Sequence, residues 1–102
     1  MNNLIKPLGK IRELVLETGL DISYAYDDLV FSEHSVFVLR FNELIPEKIH
    51  VYFNSDCIPE EAADIEKKLI NAFKSGGFEP EVSGLFELKQ IPDKEEIEIK
   101  FL

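Results

Sequence analysis

Hydrophobic positions recur along this chain with two periods, and each change of period marks a new element. Leu4, Leu8, Ile11 and Val15, with Leu14 beside them, fall at helical spacing. They predict a helix that starts between Asn3 and Pro7 and runs to Thr18. Pro7 fits only within the first turn, where its missing N–H costs least, and Gly19 supplies the stop. The period then drops to two. Leu20, Ile22, Tyr24 and Tyr26 alternate with Asp21, Ser23, Ala25 and Asp27 in the pattern of a half-buried strand. Asp27-Asp28 turns or bulges the chain, so Leu29–Phe31 reads either as a continuation or as a short strand of its own. Ser32–Ser35 reads as a hairpin turn.

Ser35–Phe41 is the most apolar strand, with Phe37, Leu39 and Phe41 on one face and Val36 and Val38 on the other. Apolar residues on both faces predict a central strand, or one that is covered on each side. After a loop at Asn42–Glu47, Lys48–Asn54 alternates cleanly. Ile49, Val51 and Phe53 point inward, and His50, Tyr52 and Asn54 point the other way. A long helix is predicted from Asp56 to Gly77. Asp56, Pro59, Glu60 and Glu61 mark its start, and Lys74, Gly76 and Gly77 its end. Ala62, Ile65, Leu69, Ala72 and Phe73 form its buried stripe, and Asp64 and Lys68 an i,i+4 pair. Phe78–Val82 is a short extended piece. Leu85–Ile91 and Glu96–Phe101 form a last hairpin turned at Pro92-Asp93-Lys94, with Ile97, Ile99 and Phe101 facing the core and Glu96, Glu98 and Lys100 facing water.

The predicted order is α-β-β-β-α-β-β. With short links between strands, this is an α+β fold with a mainly antiparallel sheet and two helices packed on one face. The 102 residues contain no repeat and no Pro/Gly/Ser linker, so residues 1–102 read as a single globular domain.

Composition narrows the function classes. Hydrophobic residues at 45%, with eight Phe, are enough for a core. A single Cys allows no internal disulfide, no apolar run reaches membrane-spanning length, and residues 1–8 hold no signal-type apolar stretch. A cytoplasmic address is therefore expected. The net charge of −9 disfavours nucleic acid and membrane surfaces and favours solubility and basic protein partners. The charge is uneven. Residues 1–12 hold Lys6, Lys10 and Arg12 and no acid, leaving eight bases against twenty acids elsewhere. Bases in the first half of a helix oppose its dipole at about 0.3 kcal/mol each. A local rule broken without local gain predicts that Lys6, Lys10 and Arg12 meet an acidic surface, either on this chain's own sheet or on a second subunit.

No constellation assembles a catalytic site. Cys57 precedes a helix N-terminus, a place that can make a thiol reactive, but Asp56, Glu60 and Glu61 oppose the thiolate. His34 and His50 lack metal-ligand spacing, and the acidic clusters lack a calcium-loop pattern, so neither metal nor cofactor is expected. Tyr24, Tyr26 and Tyr52, with Phe31 or Phe37, read as core or as part of a protein contact surface.

The predicted topology, small size and acidity resemble in outline the secretion chaperones of bacterial type III systems, whose order is α-β-β-β-α-β-β-α. Here the last helix is missing and the second helix is longer. The resemblance implies a protein binder and concerns fold alone. The residues themselves predict a non-enzymatic protein–protein interaction module. Val36, Val38 and Tyr52 form its contact face, and it self-associates through that face or through the last strand. The alternative is a small-molecule-binding domain or enzyme with a site near His50, Tyr52, Asp56 and Cys57.

Overall fold

The computed structural model describes residues 8–26, 28–90 and 97–102. The elements are α1 (Leu8–Leu16), β1 (Ile22–Tyr26), β2 (Leu29–Ser32), β3 (Phe37–Phe41), β4 (Lys48–Asn54), α2 (Pro59–Ser75), β5 (Glu79–Gln90) and β6 (Ile97–Phe101). The strands form one six-stranded sheet in sequence order, β1-β2-β3-β4-β5-β6. Four of its pairings are antiparallel, and β4 with β5 is parallel. The fold is α+β, with two helices and a mostly antiparallel sheet.

The parallel pair follows from the length of α2. Its 17 residues span about 25 Å. That is enough to carry the chain from the end of β4 back to the level where β4 began, so β5 must start beside Lys48 and run the same way. Leu20–Phe31, open in the sequence between one strand and two, is a pair of strands. Ala25 lies opposite Val30 and Tyr26 opposite Leu29. The two extended pieces read on either side of Gly84 are instead one strand, β5, with a bulge that shifts the register between Val51 and Tyr52 of β4.

Both helices cover the same face. Ile11, Leu14 and Val15 of α1 and Leu69, Ala72 and Phe73 of α2 pack with Val30, Phe37, Leu39, Ile49, Val51 and Phe53 of the sheet. Helix α2 begins three residues later than expected. Ile58 holds the N-cap position without a side-chain cap, Pro59 follows, and the backbone N–H of Asp56 is taken by Asn54 Oδ1 at 2.8 Å. Its other end is a full Schellman stop. Phe78 N–H donates to Phe73 O at 2.9 Å, Gly77 N–H to Lys74 O at 3.1 Å, Gly77 has φ +88, and the rings of Phe73 and Phe78 touch. The adjoining Gly76 lets α1 approach, since a Cβ there would lie 2.7 Å from Leu14 Cδ1.

The basic residues of α1 find partners in the same chain. Arg12 makes a two-pronged pair with Asp21 at 2.9 Å on each arm, and Lys10 Nζ stands 5.4 Å from the centre of the Phe78 ring. Lys6 lies outside the described residues, as do Leu4, Pro7 and the turn at Pro92-Asp93-Lys94. Among the described residues no helix is long and apolar enough to cross a membrane.

Candidate interaction surface

The face of the sheet opposite the helices carries a set of aromatic side chains. In register across it lie Tyr24 on β1, Phe31 on β2, Val38 on β3 and Tyr52 on β4. The next position, on β5, is Gly84, with φ +151 in a region that side-chain-bearing residues avoid. With no side chain at Gly84, the Tyr52 ring meets Phe101 of β6 across β5, at 4.5 Å between ring centres. At the other end the rings of Tyr24 and Phe31 are 6.1 Å apart. A row of four rings, interrupted on β3 by the buried Val38, thus crosses the sheet, and the β5–β6 hairpin extends the face with Leu88 and Ile99, which are paired and half-buried.

This face has a small core of its own. Val38 and Phe86 are both 0% exposed although both helices lie on the other side. Val38 lies between Phe31 and Tyr52, and Phe86 between Asn54 and Phe101. The expected contact residue Val38 is therefore covered within one chain, and the larger rings beside it are what reach the surface. Tyr24 is 57% exposed. Val36 departs further from the expectation. It lies before β3, with helical φ −69 and ψ −44, and packs against the helix-side core. Ile99 and Phe101, expected in that core, belong to the opposite face, because β6 pairs them with Leu88 and Phe86. Phe37 lies with the helices, and the side chain of Tyr26 falls outside the described residues.

Polar groups border the row on one side. Arg40 Nε donates to Asp28 at 3.1 Å, and its guanidinium lies 5.8 Å from the Phe101 ring centre. The Asp28 bond holds the Arg40 pKa above its ordinary value. His50 is held at both ring nitrogens, by Asn42 Nδ2 at 3.1 Å and Ser83 Oγ at 3.0 Å. Asn42 Oδ1 already accepts the N–H groups of Leu44 and Ile45, so its NH₂ must face His50. Nε2 then accepts and Nδ1–H donates to Ser83, a tautomer assigned from this network. Lys48 and Glu81 pair at 2.8 Å nearby.

The small-molecule alternative needed His50, Tyr52, Asp56 and Cys57 together, and the fold separates them. His50 and Tyr52 belong to the helix-free face. Asp56 and Cys57 line a cavity of about 290 Å³ with His34, Ser35, Val36, Asn54, Ile58 and Glu61, at the end of β4. Burial and the charge of Glu61 push the Cys57 thiol up, away from the reactive thiolate. The cavity wall includes two successive left-handed residues, His34 at φ 59 and Ser35 at φ 51. Ser32 Oγ holds this turn by accepting from Val36 and Phe37 N–H, and Asn54 Nδ2 holds it by donating to Ser35 O. Among the described residues no group of three or more His, Cys, Asp or Glu is placed to hold a metal ion.

Sequence reasoning set Tyr24, Phe31 and Tyr52 together on one sheet surface but did not place Phe101, Arg40 and Gly84 beside them. A glycine inside a strand pattern was the available signal, since it marks a close approach over the backbone. Compared with known proteins, the chain matches no family model, no curated protein and no solved structure.

Proposed function

We propose that this chain is a non-enzymatic protein-interaction module, working in the cytoplasm, that binds through the helix-free face of its sheet. The observation that carries the reading is the aromatic row from Tyr24 to Phe101, on the face opposite both described helices. Tyr and Phe beside a guanidinium are the side chains that anchor protein interfaces, because rigid rings offer large apolar area at little entropic cost. A buried floor of Val38 and Phe86 keeps those rings in place before a partner arrives. The net charge of −9 favours a partner whose apolar segment is flanked by Lys or Arg.

The test is affinity capture from the native cell with the wild type, with Tyr24→Asp and with the α2 surface variant Glu66→Gln. A partner lost with Tyr24→Asp and kept with Glu66→Gln supports the reading. Capture that is equal with all three proteins, or lost with Glu66→Gln alone, refutes it.

A further inference from the structure

Among the described residues β6 ends the sheet, and which of its backbone groups face outward follows from its bonds to β5. Leu102 N–H donates to Leu85 O at 2.9 Å, which makes that pair a hydrogen-bonded one. In an antiparallel ladder such pairs alternate, so Lys100 with Glu87 and Glu98 with Lys89 are also bonded pairs. The N–H and C=O groups of Ile97, Ile99 and Phe101 therefore point outward, away from β5. An exposed edge of this kind is a template for another strand.

The side chains of the same strand are self-complementary. We propose that a second copy of this chain pairs with β6 antiparallel about Ile99, joining two sheets into one of twelve strands through a two-fold axis. Ile99 then lies opposite its own counterpart, and Ile97 opposite the other copy's Phe101. All three outward-pointing residues find partners, giving six hydrogen bonds across the axis. Glu98 falls opposite Lys100 of the other copy, twice. These are the non-hydrogen-bonded positions of the new ladder, where side chains approach most closely.

The charge pattern extends beyond β6. Across β5, β6 and their two counterparts one row reads Glu87, Lys100, Glu98, Lys89, and the symmetric row reads Lys89, Glu98, Lys100, Glu87. Sign alternates at every step in both rows. Glu98 and Lys100 are exposed, and among the described residues neither forms an ion pair within its own chain. Centring the pair on Glu98 or on Lys100 instead would set like charges face to face, which disfavours both neighbouring registers. On the helix-free side the Ile99 side chains meet at the axis, and the two aromatic rows become parts of one surface. A second copy is thus one partner of the proposed interaction module, seated on an edge that the proposed binding face leaves free.

Sedimentation equilibrium on the whole chain tests it. The wild type should approach twice its 11.7 kDa as concentration rises through the micromolar range. Glu98→Lys and Lys100→Glu should each remain monomeric while melting cooperatively, and an equimolar mixture of the two should re-form a dimer. Ile99→Pro gives an independent variant. Its lost N–H points outward, so the fold keeps its own ladder while the dimer is lost. A wild type that stays monomeric overturns the proposal. A dimer indifferent to the charge variants, or a mixture that fails to associate, overturns this register. Each of these results leaves partner capture through Tyr24 standing or falling separately.

Discussion

Val38 provides the sharpest test of the structure, because it is buried on the face opposite both described helices. Val38→Ala removes two carbons from a side chain that is 0% exposed. At about 0.8 kcal/mol per buried methylene, the transfer loss is about 1.6 kcal/mol. The rings of Phe31 and Tyr52 beside it sit on separate strands and cannot collapse fully into the gap. A residual void of about 40 Å³ would add about 1 kcal/mol. The expected cost is thus between about 2 and 3 kcal/mol, a large part of the roughly 5–15 kcal/mol that holds a domain of this size together. In urea unfolding followed by circular dichroism, the midpoint should fall with the slope unchanged. In a thermal scan the melting temperature should drop by about 10–20 °C. Val82→Ala is the matched control, since Val82 lies on β5 and is 40% exposed. It should cost less than half as much. Equal losses for the two variants would refute a separate core on the helix-free face.

Three further outcomes follow from particular contacts. Gly76→Ala places a Cβ 2.7 Å from Leu14 Cδ1, the movable end of a side chain, so it should cost no more than about 1 kcal/mol. The cost should shrink in a Leu14→Ala background, as a double-mutant cycle would read. The Arg12 bonds and the Ile22 N–H hold the Asp21 carboxyl below its ordinary 3.8. A depressed carboxyl stabilises the fold above its unfolded-state value and loses that contribution as pH falls through the folded-state value. Asp21→Asn should therefore be less stable than wild type at neutral pH, and the gap should close in acid, measured by urea titration at both ends. Burial and Glu61 raise the Cys57 thiol above 9.0, so iodoacetamide should label it more slowly at neutral pH than a free cysteine, and Glu61→Gln should speed the reaction.

The chain by itself determined its elements and one of its faces. Periods of 3.6 and two identified both helices and the alternation of β4, because those periods are properties of the local backbone. The helix-side core follows from the same patterns. Ile11, Leu14, Val15, Ile49, Val51, Phe53, Leu69, Ala72 and Phe73 were all legible as its members, since each lies on the apolar side of an element whose other side is polar. Only the tertiary structure decided the rest. The parallel partnership of β4 and β5 depends on where α2 delivers the chain, and no local pattern encodes that. Ile99 and Phe101 alternate with charged residues, and alternation says that they share a face without saying which one. The register with Phe86 and Leu88 assigned them to the side away from the helices. Arg12 and Asp21 are nine residues apart, and they meet because β1 runs beneath the end of α1. The row sets rings on four strands around Val38 on a fifth and Gly84 on a sixth, bringing together residues from 24 to 101 that no window along the sequence contains. Secondary structure is encoded over a few neighbouring residues. A surface is encoded by the order and register of strands, which the packing of the whole chain selects.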